Sequence, residues 1–328
     1  MVKRQLLYKE WKQSELIFML VVLVAVFATP LAFLMEYSSF QTCLKDTECI
    51  VDTPRFSYIF ETDAFLSLSW FMGILIALIQ LGFERNKGQM DFTLSLPFSR
   101  SAIYHTKFFL GAGMIAIVHV TSYVLTYLLI LGLNPLETLG FNSGYFSALV
   151  SSLMIYSLFF AAGTLTGSAI SQAIVAFSTA ILPYLLIGLP IAHLDFIVKT
   201  SEIWVDKSFN YLISPISPIT YIITERFQPE YPIWFTGEEF IIPIVMMVLF
   251  YLIGLFSFIK HPIERNGRFF LYQTMDRPIQ IMVIVFGVLG FGWVGFFSDN
   301  SIFGYVVGML IGGVVGALTS YFLIYRKR

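Results

Sequence analysis

Charge is what this sequence has least of. Asp, Glu, Lys and Arg make up 12% of its 328 residues, about half the share of an ordinary soluble domain. Hydrophobic residues supply 57%, more apolar surface than a soluble fold of this length can hide, so a water-soluble protein is excluded. Histidine is scarce and scattered, at positions 105, 119, 193 and 261, with no HExxH pair among them. No cluster with metal-ligand spacing results, and no metal site is expected. GxSxG and paired intramembrane aspartates are missing as well, which leaves a membrane enzyme poorly supported, and no catalytic residue is assigned. GxxxxGK[ST] is also missing. The chain therefore cannot hold a nucleotide through a P-loop, and any ATP-driven step has to draw its energy from another protein.

What is present is a series of long apolar runs. A helix needs about 20 residues to cross the hydrocarbon core. Eight runs qualify: Leu16–Met35, Ala64–Phe83, Phe108–Leu131, Tyr145–Gly167, Gln172–Ala192, Phe240–Ile259, Pro278–Phe297 and Ile302–Tyr325. They show no alternation of period two, which argues against a β-barrel. The fold class read from them is an all-α polytopic membrane protein with eight transmembrane helices. The first run is too long for the apolar core of a signal peptide, and Glu36 follows it where a small-residue cleavage site would stand. It reads as an uncleaved span.

Eight spans with both ends in the cytoplasm put fifteen of the twenty Lys and Arg on the inner face, and fifteen of the twenty-one acids on the outer one. This is the distribution that the positive-inside rule favours. Shifting the count by one span destroys it. Cys43 and Cys49, the only cysteines, then share the first outer loop. There they read either as a small disulfide loop or as two free thiols.

Residues 1–13 place Leu6, Leu7 and Trp11 among four cations, the pattern of an interfacial N-terminal helix with its cations toward the headgroups. A six-span core follows over residues 14–262, and two further spans with a basic C-terminus occupy 263–328. No Asp, Glu, Lys or Arg lies between Glu137 and Asp195. Spans four and five there form a hairpin with a very short turn, and Pro183 and Pro190 are expected to kink the second of them. The outer segment 193–239, with Trp204, Trp234 and four prolines, reads as short helices dipping into the interface, or as a compact outer cap. The last span carries Gly304, Gly308, Gly312 and Gly316. Glycines at steps of four make a smooth ridge that lets another helix come close, either span seven or a second subunit. His119 is the plain ionisable group inside a span. It reads as a mark of a polar path or, more ordinarily, as the partner of a neighbouring hydroxyl. The spans show no buried carboxylates of the kind a proton- or sodium-coupled carrier would use.

The polar stretch "ERNKGQMDFTLSLPF", residues 84–98, separates two apolar runs on the cytoplasmic face. Its apolar residues alternate at 90, 92, 94 and 96, which would suit a strand, but a lone strand has no partner for its backbone. As a helix it is two-faced, with Met90 and Leu94 on one side and Phe92 and Leu96 nearly opposite. One face can pack on the bundle while the other waits for a partner or lies on lipid. Pro97 stops the helix, and Ser99 can cap the next one.

Extended to Phe108, "ERNKGQMDFTLSLPFSRSAIYHTKF" resembles the cytoplasmic segment between spans two and three of ABC-2 type permeases, through Glu84, Gly88, Leu94, Leu96, Pro97, Ser99, Arg100 and Lys107. The resemblance implies that segment 84–107 carries a coupling helix seated in a groove of a cytosolic ABC ATPase subunit. Its contact set would be Glu84, Arg85, Lys87, Gly88, Met90, Asp91, Phe92, Leu94, Leu96, Pro97 and Arg100, with Glu84 anchoring the helix. A second stretch, "FIKHPIERNGRFFLY" after span six, repeats Glu-Arg-Asn at 264–266 and reads either as a further contact for the ATPase or, by preference, as a cap on the bundle. Length, span count and the opening "KRQLLYKEWKQ" resemble Ytr-type permeases, a Gram-positive group linked with acetoin utilisation. The expectations that follow are a permease subunit in a bacterial cell membrane and a second permease chain, identical or similar. Membrane lipid is a partner and nucleic acid is not. The chain has no cofactor of its own, ATP and Mg lying on the ATPase. A scaffold or sensor that docks a cytosolic regulator through the same loop, and a secondary carrier, are the competing readings.

Overall fold

The computed structural model describes residues 4–45, 55–59, 70–191, 193, 213–221, 240–260, 265, 267–299 and 301–325. Helix dominates them because a chain this apolar must satisfy its own backbone groups inside lipid. In chain order the elements are α1 (Arg4–Cys43), β1 (Ser57–Ile59), α2 (Trp70–Ala77) continuing as a π-helix (Leu78–Phe83), α3 (Glu84–Asn86), α4 (Gln89–Ser95), α5 (Arg100–Leu133), β2 (Glu137–Leu139), α6 (Phe141–Leu165), α7 (Ala169–Pro183), α8 (Ile241–Ile259), α9 (Asp276–Asp299) and α10 (Ile302–Ile324).

Among the described residues, seven helices are long and apolar enough to cross a membrane, which makes this a multi-pass membrane protein. The second expected span, Ala64–Phe83, is described only from Trp70 on, so the count of eight is not reached within these residues. Residues 4–13 are not a separate element. They are the first turns of α1, which runs unbroken for 40 residues, through Pro30. An addition to the all-α expectation is the parallel pairing of β1 with β2, in which Ser57 faces Glu137 and Tyr58 faces Thr138. Cys49 and most of 193–239 lie outside the described residues. What is described of the outer segment is two 3-10 turns, Ser214–Ile216 and Pro218–Tyr221.

The chain divides into two units. The first comprises Met1–Gln80, Leu96–Ala161 and Tyr221–Leu255. In it α1 packs along α5. Toward the Cys43 end of α1, Phe33, Phe56, Tyr58, Phe141 and Tyr145 form a buried cluster, in which Phe33 meets Tyr58 edge-on at 5.0 Å between centroids. Toward the Arg100 end of α5, Tyr104, Phe108, Phe160 and Tyr251 make a second aromatic cluster, with Phe108 and Tyr251 4.7 Å apart.

The second unit comprises Leu81–Ser95, Ala162–Thr220 and Phe256–Arg328. Its α9 and α10 pack along their whole length, and glycine is the reason. A side chain on Gly308 would run into the Phe291 carbonyl, and one on Gly295 into the Gly304 carbonyl. One on Gly287 would come within 2.6 Å of the Gly312 carbonyl, and one on Gly316 within 3.0 Å of the Ile284 backbone. The ridge of α10 is thus spent inside the chain, on span seven. In α7, Pro183 lacks the N–H of a regular helix. The next turn widens into a π-helix, Tyr184–Gly188.

Candidate functional site

The segment 84–95 belongs to the second unit, and its conformation follows from one glycine. Lys87 closes the turn of α3 with its N–H on the Phe83 carbonyl at 3.1 Å, and the Gly88 N–H reaches the Arg85 carbonyl at 2.9 Å. Gly88 then takes φ +70°, a left-handed conformation that a side chain disfavours. A Cβ there would meet nothing within 4 Å, so glycine is required by conformation and not by crowding. The chain turns and restarts as α4.

Short helices need tethers, since seven residues are too few to be stable alone. Here the tether is Thr93. Its hydroxyl donates to Oε1 of Glu84 at 2.7 Å and lies 3.0 Å from the Gln89 carbonyl. Met90 and Thr93, three apart and on one face, are both fully buried. Asp91 and Ser95 are exposed, Leu94 is half-buried, and Phe92 is 62% exposed. The alternation at 90–96 therefore resolves as a helix whose buried face is Met90 and Thr93, with a bare aromatic on the other side. Thr93 was not among the expected site residues. Its signal in the sequence is the four-residue step from Gln89, where a hydroxyl can return to the backbone of the preceding turn.

Arg85, expected in the contact set, is buried within the chain. Its Nη1 donates to the Gly163 carbonyl at 2.7 Å and to the Thr166 carbonyl, at the end of α6, where backbone carbonyls are left over and the helix dipole favours a cation. Nε and Nη2 have no hydrogen-bond partner among the described residues. Burial pushes the guanidinium down to about 10, against the pull of Glu84 and Asp91, so it stays charged at neutral pH. Next to it, Asn86 accepts from the Ala169 N–H at 3.3 Å. The turn 84–86 is thus fixed to the α6–α7 connection.

That connection is itself built tightly. Ser168 caps α7 and exchanges hydrogen bonds with Ser171. Gln172 lies between Gly82 and Gly163, filling the space that side chains there would need. The stretch after span six closes the connection from another side. Leu271 N–H bonds to the Leu165 carbonyl at 2.9 Å, Gly267 N–H to the Gly167 carbonyl at 2.9 Å, and Thr166 bridges Phe270 as in an antiparallel ladder. Residues 267–271 therefore cap the hairpin of α6 and α7. Arg265 is tied to Asp276 at 2.9 Å.

The first unit receives the chain at Leu96. Leu96 and Arg100 are half-buried, while Lys87 in the second unit and Pro97 are exposed. Ser99 caps α5, accepting from the Ala102 N–H at 3.3 Å. Deeper in this unit lies a polar knot. Lys107 is almost wholly buried and pairs with buried Glu10 of α1. Gln80, in the π-helix, donates to the Lys107 carbonyl at 2.9 Å, and the Tyr156 hydroxyl donates to Gln80 Oε1 at 2.8 Å. Four elements meet there: α1, the π-helix, α5 and α6. Sequence reasoning found Lys107 through the motif and missed Glu10, Gln80 and Tyr156, which are far apart in the chain. A π-helix inserted at such a place is often a mark of function.

The chain is 42% identical to the probable ABC transporter permease YtrC of Bacillus subtilis (strain 168), with all of this chain and 99% of that protein aligned. It is 38% identical to the probable ABC transporter permease YtrD of the same strain, over 98% of this chain and 97% of that one. No family model matches the sequence, and no solved structure matches it.

Proposed function

Since the chain belongs to the ABC transporter permease family, we propose that segment 84–98 is the cytoplasmic element through which a separate ABC ATPase drives its membrane helices. The chain is the permease subunit of an ABC transporter. In this reading it has eight spans and both termini in the cytoplasm, no ATP site of its own, and a second permease chain beside it. ATP and Mg bind on the ATPase.

The observation that carries the assignment is the build of α4. One face, Met90 and Thr93, is buried and pinned to Glu84, and the other leaves Phe92 62% exposed among polar neighbours. An exposed aromatic on a rigidly held short helix suits a groove on a partner. Around it, Arg85 and Asn86 tie the turn to the α6–α7 connection, so a push on α4 is delivered to the ends of membrane helices and not absorbed locally. A link of the cargo with acetoin utilisation rests on the Ytr-type resemblance alone.

The test is purification of the tagged full-length chain in mild detergent, with mass spectrometry of what accompanies it, beside Phe92→Asp and Phe92→Asp/Leu96→Asp variants. A P-loop ATPase is expected with the native chain and is expected to be lost with the variants while membrane insertion persists. No ATPase with the native chain, or equal amounts with the variants, overturns the assignment.

A further inference from the structure

Within the first unit, α1, α2, α5 and α6 enclose a cavity of about 340 Å³, in the size range of small-molecule sites. Leu20, Val24 and Ala28 of α1 line it at four-residue steps, hence from one helix face. Its rim and its floor differ in chemistry. At the rim Leu20, Val24 and Phe71 are each more than half exposed. The deep wall is buried and holds Thr29, His119, Ser122 and Tyr145 beside Met72 and Val118.

Hydrogen bonds hold the polar groups of that wall in fixed directions. Nδ1 of His119 lies 2.9 Å from the Ile115 carbonyl. A carbonyl only accepts, so Nδ1 carries the proton and Nε2 of the neutral ring is an acceptor. The nearest donor to Nε2 is the Ser152 hydroxyl at 3.4 Å, a long contact. The Tyr145 hydroxyl is engaged by its neighbours, 2.7 Å from Thr126 Oγ1 and 3.3 Å from both Ser122 Oγ and the Ser122 carbonyl. The groups a guest can address are therefore Nε2 of His119 and the Ser122 hydroxyl. Among the described residues no Asp, Glu, Lys or Arg lines the cavity, so a charged guest would find no counter-charge among them.

We propose that this cavity is a binding site for an uncharged amphiphile with one aliphatic chain, entering sideways from the bilayer. The chain lies along Leu20, Val24 and Phe71, and a hydroxyl end donates to Nε2 of His119 beside the Ser122 hydroxyl. An ordinary lipid contact would need only the apolar rim. The buried polar wall is what selects a headgroup. The proposal is independent of the coupling role of α4. The guest can be a resident lipid or the transported molecule, which share this chemistry.

The test uses the full-length chain in membranes and a monoacylglycerol carrying a diazirine on its acyl chain, with adducts mapped by mass spectrometry. Saturable adducts are expected on the peptides holding Leu20, Phe71 and Val118, and unlabelled monoacylglycerol is expected to reduce them about tenfold. Ala28→Trp, which fills the cavity, is expected to abolish them while adducts on Val245 and Leu249 of α8, both about half exposed, stay unchanged. If Ala28→Trp fails to insert, His119→Leu/Ser122→Ala keeps the volume and removes the polar end. Weaker labelling in that variant, together with competition on the native chain, then decides. A long-chain carboxylate probe at pH 8 is expected to label the site poorly. Labelling that cannot be competed, or that the carboxylate matches, means lipid contact only and overturns the proposal. Trapping the transporter with ATP and vanadate separates the two sources: cargo leaves the site on trapping and a resident lipid stays.

Discussion

The Thr93 hydroxyl donates to Oε1 of Glu84 across 2.7 Å, and both residues are buried. They are nine positions apart and belong to different helices, α3 and α4, with the left-handed turn at Gly88 between them. This one contact converts a seven-residue helix from a floppy insert into a lever with a fixed base. Hydrogen bonds to charged groups contribute about 1.5–3 kcal/mol. Thr93→Val keeps the shape and deletes the donor. Amide exchange of residues 89–95 is then expected to speed up severalfold, while Glu84→Gln, which retains an acceptor, shows a smaller effect. Equal protection in Thr93→Val and the native chain would remove the lever from the account.

The turn makes a separate demand. With φ +70° and open space around its missing Cβ, Gly88 is sensitive to backbone preference alone. A left-handed conformation costs an L-residue about 1–2 kcal/mol, and Asn enters it more readily than most. Retention of the co-purifying ATPase is expected to fall in the order native, Gly88→Asn, Gly88→Ala, Gly88→Val, with insertion unchanged throughout. An order that follows side-chain size at Gly88 but ignores the tolerance of Asn would point to a steric contact with the partner and not to the turn.

Which features the sequence revealed follows from how far each acts along the chain. A membrane span announces itself in some 20 consecutive residues, because lipid offers the backbone no other partner. The seven described spans were readable for that reason. The glycine ridge of α10 was readable as a ridge, since four-residue spacing is a local fact. Its seat on α9 needed Gly287 and Gly295, eight residues apart and buried in a run that also holds Gly290 and Gly292. The parallel pairing of Ser57–Ile59 with Glu137–Leu139 joins segments too short and too distant for any pattern. The continuity of α1 is not legible in the sequence because the cations of 1–13 equally suit headgroup contacts. Part of that charge is neutralised within the protein, by Lys9 on Glu10 and Lys12 on Glu15.

Glu10 and Lys107 also yield a sharp energetic prediction. Both are buried within the first unit, where Gln80 and Tyr156 complete the knot. Removing one partner of a buried pair strands the other and typically costs about 3–5 kcal/mol, whereas replacing both by apolar groups of like volume is often neutral. Glu10→Leu, which takes the carboxylate away from buried Lys107, is expected to lower the melting temperature in detergent strongly, and Lys107→Met less, because Glu10 keeps Lys9. The double variant is expected to recover most of the loss. Additive losses would mean that the two charges are stabilised by other groups and not by each other.

The packing of α9 on α10 allows a test in which two like substitutions change stability in opposite directions. A Cβ on Gly312 would collide with the Gly287 carbonyl and stand 2.7 Å from the Phe291 Cβ. Rigid backbone lies on the far side, so no rotamer change can relieve the clash, and overpacking of this kind costs about 1–3 kcal/mol. At Gly290, in α9, a Cβ would meet nothing within 4 Å. There the only change is the loss of glycine's freedom, which favours the helix by about 1 kcal/mol. Gly312→Ala is expected to lower the melting temperature of the purified chain and Gly290→Ala to leave it unchanged or raise it. A loss in both would show that glycine serves flexibility throughout this hairpin. A loss in neither would show that the two helices can separate without cost, which their backbone contacts at Gly287, Gly295 and Gly308 argue against.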